Sequence, residues 1–325
     1  MRSTDEVTKY MKITVLDRKT MGEDISFAPF ERYGELTVYD ITPAKLTAER
    51  VQGAEVIILN KVKITADVIA AAKDLKLICV FATGYDNIDL DAAREAGVAV
   101  CNVPGYSTDS VALYTIATVT ALASRLITYR AAVSSGEYTT AGSPNKISPA
   151  FNDLRGKTWG IIGYGNIGKA VAAVARAFGA DVIVNKRTPT DDAVCVDVDT
   201  LCQQSDVITI HCPLNDDTRG MINADRLALM KKSVILVNEA RGAVLDESAV
   251  AKAVECGEIG AFGCDVYSQE PFPADHPYNA IKNLDNVILT PHSAWASYEA
   301  RTRCVDIISN NIASFISGDR LNRVD

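Results

Sequence analysis

Arg241, Glu270 and His292 are the residues of this chain best suited to chemistry. Arg241 lies in Asn238-Glu239-Ala240-Arg241-Gly242, just after the apolar run 233–237. Glu270 closes Asp265-Val266-Tyr267-Ser268-Gln269-Glu270 and precedes Pro271. His292 follows Val287-Ile288-Leu289-Thr290-Pro291. A planar guanidinium grips a carboxylate or keto oxygen with paired hydrogen bonds and stabilises negative charge growing on a carbonyl. An imidazole exchanges a proton readily near neutral pH. A carboxylate on its far nitrogen fixes the ring and favours the imidazolium. Together these are the parts needed to hold a 2-keto acid and protonate its carbonyl. Each also has an ordinary explanation: an arginine at a strand end, a turn glutamate before proline, a turn histidine. The other two histidines read as structural. His211 ends a strand on the expected adenine side, and His276 sits in a proline-flanked loop.

Upstream, Gly163-Tyr164-Gly165-Asn166-Ile167-Gly168 fits G-x-G-x-x-G between an apolar strand and an Ala/Val-rich helix. Gly163 permits the tight turn, Gly165 lets the backbone approach a pyrophosphate, and Gly168 lets the helix pack on the strand. The helix N-terminus offers free N–H groups and partial positive charge to the phosphates. The chemistry suggested is therefore hydride transfer. After the next strand, an acid that would grip the ribose 2′-hydroxyl of NAD is missing. Asn185-Lys186-Arg187-Thr188 stands there instead. Two cations and a hydroxyl suit a 2′-phosphate, so NADP(H) is the expected cofactor, with NAD as the alternative. The ordinary reading is that these cations solvate a strand end.

The elements that must position these groups alternate. Strands are expected at 12–17, 35–40, 56–61, 77–82 and 98–103, with helical spacing at 65–72 and 90–96 and a stop at Gly97. Residues 108–136 read as one long apolar helix ending at Gly136, which belongs in a core or at a subunit interface. Residues 139–153 form a Gly/Pro/Ser-containing loop. A second series of strands follows at 158–163, 182–185, 207–212, 234–238, 259–265 and 287–290, and a final helix at 298–317 stops at Gly318. Such alternation argues for parallel sheets.

The fold class expected is α/β, with two Rossmann-like domains and the first discontinuous in sequence. Residues 1–103 with 294–325 are expected to form the substrate-binding domain, and 104–293 the dinucleotide-binding domain, with the active site in the cleft between them. The long helix would cross between the domains and support a homodimer.

Bulk properties narrow the class. The 325 residues are 48% hydrophobic and 23% charged, as in ordinary globular proteins. A net charge of −8 with no basic tract argues against nucleic acid as a partner. No apolar stretch approaches a membrane span, and residues 1–12 are polar, without the apolar core of a signal peptide. A loose extension is expected there. The eight cysteines form no CxxC pair and suit a reduced, cytoplasmic protein. With three histidines, no metal site is expected.

With these motifs assembled, the chain from Met11 to its end resembles the D-isomer-specific 2-hydroxyacid dehydrogenases. The resemblance is carried by Ala82-Thr83-Gly84-Tyr85-Asp86-Asn87-Ile88-Asp89, the glycine fingerprint, His211-Cys212-Pro213-Leu214 and the Arg, Glu and His segments in their order. Asn60-Lys61 and Thr290-Pro291-His292-Ser293-Ala294-Trp295-Ala296-Ser297 look most like the glycerate dehydrogenase or hydroxypyruvate reductase branch. The resemblance implies an oxidoreductase that makes a D-2-hydroxy acid from a small 2-keto acid, hydroxypyruvate and glyoxylate leading. It makes His292 the general acid–base, Glu270 its partner and Arg241 the substrate clamp. It implies substrate contacts from Asn60, Lys61, Thr83, Gly84, Tyr85 and Trp295. Cofactor contacts would come from Gly163, Gly165, Asn166, Ile167, Gly168, Asn185, Lys186, Arg187, Thr188, His211, Cys212, Pro213, Thr218, Asn238, Ala240 and Asp265.

Three features depart from the family pattern: Leu113-Tyr114, Glu239 where a small or hydroxylated residue is common, and a 139–153 loop without tryptophan. A nucleotide-sensing, corepressor-like module on the same scaffold is the alternative from another class. Oxidation of another small anion such as formate is disfavoured because the Arg–Glu–His set suits carbonyl protonation.

Overall fold

A computed structural model describes residues 10–325. Of the loose extension expected at 1–12, residues 1–9 lie outside the described residues, and Met11 already opens a strand. The chain divides into two compact units. One comprises the described residues up to Ser107 together with Ala296–Asp325, the other Thr108–Trp295.

The first unit holds β1 (Met11–Val15), β2 (Gly34–Val38), β3 (Val56–Leu59), β4 (Leu77–Val80) and β5 (Ala99–Cys101). They form a parallel sheet in the order β2-β1-β3-β4-β5. Every residue of β3, β4 and β5 is buried, as strands covered on both faces require. Leu16, Ile57, Leu59, Ile78 and Val80 share one core cluster. Phe27, Phe30 and Phe81 pack ring to ring in another. Burying side chains of this size stabilises by about 1.5–3 kcal/mol each.

The second unit holds β6 (Thr158–Ile162), β7 (Asp181–Asn185), β8 (Val194–Cys195), β9 (Val207–Ile210), β10 (Ile235–Asn238), β11 (Ala261–Cys264) and β12 (Val287–Leu289). Their order is β12-β11-β10-β9-β6-β7-β8, again parallel throughout. Ile162, Ile208, Leu236 and Phe262 belong to one core layer. Trp159, Ile161, Val237, Val119 and Leu122 belong to the opposite one. The α/β class with two parallel sheets agrees with the sequence expectation.

Several details differ from it. The helix expected over 108–136 is two helices, Thr108–Ala123 and Leu126–Ser134, bent by 65° at their junction. Arg125 adopts a left-handed backbone with φ 56°, and the Ser124 hydroxyl donates back to the Thr120 carbonyl, so the ladder breaks without a proline or glycine to announce it. Gly136, at φ 82°, does end the second helix, but Thr139 and Thr140 sit in a one-turn helix, Glu137–Thr140, not in the loop. β8 escapes the hydrophobic pattern because it is two residues long and Val194 is mostly exposed. Most other expected strands end one or two residues early in the ladder, since residues such as Cys212 and Asp265 leave it to build loops.

All eight cysteines are free. Among the described residues, no single helix is long and apolar enough to cross a membrane, and no group of three or more His, Cys, Asp or Glu could hold a metal ion.

Candidate active site

The glycine turn after β6 is built by close approach. Gly163 has φ 92°, and a Cβ there would stand 2.4 Å from the Cys212 amide nitrogen and 2.5 Å from the His211 carbonyl carbon. A Cβ on Gly168 would stand 2.2 Å from the Gly163 carbonyl oxygen. Gly165 has no neighbour within 4 Å on its Cβ side, so the start of helix Asn166–Ala177 presents open backbone. That is an anion cradle of the kind a pyrophosphate fits.

The flanks match. At the end of β7, the Asn185 side chain donates to the Val196 carbonyl. Lys186 is half-buried while Arg187 and Thr188 are exposed, and neither cation has an ion-pair partner among the described residues. Both His211 ring nitrogens are buried without a hydrogen-bond partner, and burial pushes the imidazole down to about 3, so it is neutral. Burial likewise pushes the Cys212 thiol up to about 11. The Thr218 hydroxyl donates to the Pro213 carbonyl and accepts from the Asn215 amide, closing the loop after β9. An open cradle beside an orphaned polar ring is what a dinucleotide would complete.

Beyond β10, β11 and β12 the segments that carry Arg241, Glu270 and His292 lie in one unit, and the Arg241 guanidinium donates to the Ala240 carbonyl at 2.8 Å. His292 Nδ1 and Glu270 Oε2 are 2.6 Å apart, and Glu270 Oε1 accepts the Tyr267 amide at 3.0 Å. Both side chains are about a quarter exposed, at 24% for His292 and 29% for Glu270. His292 itself has φ 53°, a left-handed turn made affordable by its carbonyl accepting from the Trp295 indole at 2.9 Å. Arg241 is extended before a short 3-10 turn. Asn238 holds it there, accepting from the Ala240 amide and donating to the Arg241 carbonyl. The Arg241 and Glu270 loops touch backbone to backbone: a Cβ on Gly242 would stand 2.0 Å from the Tyr267 carbonyl carbon.

The remaining expected residues, Asn60, Lys61, Thr83, Gly84 and Tyr85, sit on loops of the first unit. Asp17 organises the first loop, accepting the backbone N–H groups of Asn60, Lys61 and Val62. Burial raises its carboxyl and those N–H groups oppose the shift. Asn87 ties the two loops together by donating to the Asn60 and Val62 carbonyls. Thr83 is anchored through its hydroxyl to the Val103 carbonyl and through its own carbonyl to Asn102.

Residues 116–294 match the family described as D-isomer specific 2-hydroxyacid dehydrogenase, NAD binding domain. A glycerate dehydrogenase from Methylorubrum extorquens is 39% identical over 97% of this chain and 99% of its own. The chain belongs to the D-isomer-specific 2-hydroxyacid dehydrogenases. A hydroxypyruvate reductase from Blautia hydrogenotrophica is 34% identical over 97% of this chain and 100% of its own. An acyclic imino acid reductase solved with NADPH and D-Arg superposes with a TM-score of 0.85 at 30% identity, covering 97% of this chain and 100% of that one. A member of this family moves a hydride between a nicotinamide cofactor and a small 2-keto or 2-hydroxy acid.

Within this dehydrogenase, a layer of hydrogen bonds holds the segments that carry His292 and Glu270. Asp265, 1% exposed, accepts from the Thr290 hydroxyl at 2.6 Å, the Ser293 amide at 2.9 Å and the Ala294 amide at 2.8 Å. It therefore grips the chain on both sides of His292. Ser110 donates to the Ala294 carbonyl, and the Tyr114 hydroxyl meets the Ser293 hydroxyl at 3.0 Å. The departure at Leu113-Tyr114 thus places an anchor against the histidine segment, while Leu113 stays exposed. Glu247 accepts the Ser268 amide and hydroxyl and the buried His276 Nε2, and His276 Nδ1 accepts the Tyr278 amide. This holds the loop that carries Glu270 and gives His276 a structural place. An acid after a strand, such as Asp17, or one opening a helix, such as Glu247, is the signal that could have flagged them; spacing alone does not say what they hold.

Proposed function

We propose that this dehydrogenase reduces hydroxypyruvate and glyoxylate with NADPH. The observation that carries the proposal is the His292–Glu270 pair at 2.6 Å, joined through the Gly242 contact to the Arg241 loop. A bound nicotinamide supplies the hydride. His292 gives its proton to the keto oxygen, Glu270 orients the ring, and Arg241 holds the substrate carboxylate and polarises the carbonyl. One keto acid, one NADPH and one proton become a D-2-hydroxy acid and NADP+. Backbone at Thr83, Gly84 and Tyr85, with Asn60, Lys61 and Trp295, is assigned to substrate binding. The first unit is assigned as the substrate-binding domain and the second as the dinucleotide-binding domain. The names of the relatives from Methylorubrum and Blautia support the substrate class. Adding hydroxypyruvate, glyoxylate, pyruvate and phenylpyruvate in turn to enzyme and NADPH tests it by the fall in NADPH absorbance. The proposal stands if the first two turn over fastest and fails if neither does.

The cofactor preference rests on Lys186 and Arg187, two cations without an ion-pair partner among the described residues, where NAD binding would place an acid. Replacing them together, Lys186→Asp with Arg187→Ala, is expected to raise KM for NADPH by about 10- to 100-fold, the worth of one charge-assisted phosphate grip, and to leave KM for NADH unchanged or lower. A wild-type enzyme that strongly prefers NADH rejects the assignment.

A homodimer is part of the same proposal. Leu113, Leu126, Val133, Ile147 and Phe151 are each more than half exposed, and apolar exposure so concentrated in one stretch marks a contact surface. Sedimentation velocity decides between dimer and monomer. A cytoplasmic setting is proposed from a cysteine pattern without a CxxC pair, and it requires that Cys79 and Cys101, cross-strand partners, stay reduced. Alkylation of unreduced protein at both positions, read by mass spectrometry, supports it, and a disulfide between them overturns it.

A further inference from the structure

Tyr267 is bonded to Glu270 at one end and to the turn of His292 at the other, and none of the roles assigned above uses its side chain. Its backbone N–H donates to Glu270 Oε1 at 3.0 Å. Its hydroxyl donates to the Thr290 carbonyl at 2.8 Å. That carbonyl, two residues before His292, also accepts the His292 backbone N–H at 3.1 Å. The turn that gives His292 its φ of 53° is therefore closed on the same oxygen that the Tyr267 hydroxyl holds.

The residue works where two strands part. β11 ends at Cys264 and β12 at Leu289, and these two residues are register partners. Beyond them one segment runs on to Glu270 and the other to His292. The Thr290 N–H still donates to the Cys264 carbonyl. Past that rung the Tyr267 hydroxyl joins the two segments through a side chain, beside the grip of Asp265 on Thr290, Ser293 and Ala294.

The ring does not need its hydroxyl in order to pack. Its centroid lies 4.7 Å from that of Phe272, 6.0 Å from His276 and 6.1 Å from Tyr278, contacts that a phenylalanine would make as well. Burial, with acidic neighbours adding to it, raises the Tyr267 hydroxyl above the ordinary tyrosine range, so it stays protonated and donating at working pH. By contrast, the hydroxyl of Tyr278 in the same ring cluster has no hydrogen-bond partner.

We propose that Tyr267 is a positioning residue for the reaction: it ties the Glu270 carboxylate to the turn that presents His292 and keeps the pair in register. This rests on the reductase reading above. Glu270 Oε2 and His292 Nδ1 meet at 2.6 Å across 22 positions of chain, and both side chains are about a quarter exposed, so burial alone does not fix them. A displacement of about 1 Å in a catalytic group costs on the order of 100-fold in rate. A hydroxyl that limits such drift bears on rate and not on binding.

The test compares Tyr267→Phe with Tyr278→Phe, each of which removes one hydroxyl and keeps the ring. In Tyr267→Phe, kcat with hydroxypyruvate is expected to fall about 3- to 10-fold, the worth of one neutral hydrogen bond. KM for hydroxypyruvate and calorimetric affinity for NADPH are expected to stay unchanged. Tyr278→Phe is expected to match wild type throughout. A second readout needs no turnover. The chain has three histidines, so NMR of protein carrying isotope-labelled histidine resolves their rings, with His292 assigned by its loss in His292→Gln. Tyr267→Phe is expected to shift the Nδ1 signal of His292, and Tyr278→Phe to leave it in place. Wild-type kcat in Tyr267→Phe, or an unmoved His292 signal, overturns the assignment. So does a loss in KM or NADPH affinity as large as that in kcat, or an equal loss in Tyr278→Phe, since either marks general packing. If wild type reduces no keto acid, the reductase reading fails, while the NMR comparison still decides whether Tyr267 holds the pair.

Discussion

Replacing His292 with glutamine is expected to lower kcat/KM for keto-acid reduction by roughly 10²–10⁴-fold, the contribution of a positioned general acid, while NADPH still binds. Glutamine keeps the size and polarity of the ring but cannot donate and regain a proton at working pH. The anchoring of Thr290, Ser293 and Ala294 by Asp265 does not involve the imidazole and holds the surrounding chain in place, so the expected loss is chemical and not structural. Steady-state kinetics with hydroxypyruvate, set beside calorimetric NADPH affinity, separates the two. Arg241→Ala is expected to follow the same pattern, with a larger share of the loss in KM, because the guanidinium is also assigned to the substrate carboxylate. Unchanged turnover in either variant removes that residue from its assigned role.

The second large effect is expected from one methyl group. In Gly242→Ala the new Cβ would lie 2.0 Å from the Tyr267 carbonyl carbon and 2.2 Å from the Ser268 amide nitrogen. Both are backbone atoms, so no rotamer change relieves the clash, and one of the two loops must move. One carries Arg241 and the other Glu270. A displacement of about 1 Å in a catalytic group costs on the order of 100-fold in rate, and overpacking a tight site costs about 1–3 kcal/mol of stability. The variant is therefore expected to fold, melt at a lower temperature and lose about 100-fold or more in kcat/KM. Wild-type turnover in a folded Gly242→Ala enzyme would show that the two loops need not be in register. Gly165, with no neighbour within 4 Å, is the control for steric effects: alanine there should leave the melting temperature nearly unchanged, and any effect should fall on cofactor affinity.

Legibility in the sequence followed the range of the forces involved. Apolar runs such as Val56–Leu59 and Leu77–Val80 announce buried parallel strands because both faces must leave water. The glycines at 163 and 168 announce a close approach because no other residue fits the space. The break at Arg125 was not legible, since it depends on one left-handed residue and a hydroxyl bonding back to its own helix. β8 was not legible because a two-residue edge strand has no periodicity to detect. Tyr114 showed only as a departure; its partner, Ser293, is far away in the chain.

By itself the sequence determined the reaction class: a glycine turn between strand and helix, then an arginine, a glutamate and a histidine in order, each after an apolar strand. Those signals are local, and short-range sterics and side-chain chemistry suffice to write them. The tertiary structure decided how the groups are held. It brought Glu270 to the Nδ1 of His292, made Asp265 the grip on the histidine segment, set Glu247 under the loop of Glu270, and left Glu239 Oε2 buried without a hydrogen-bond partner. Those facts come from hydrogen bonds and desolvation between residues remote in sequence, and burial of a carboxyl is a property of its surroundings and not of its neighbours in the chain.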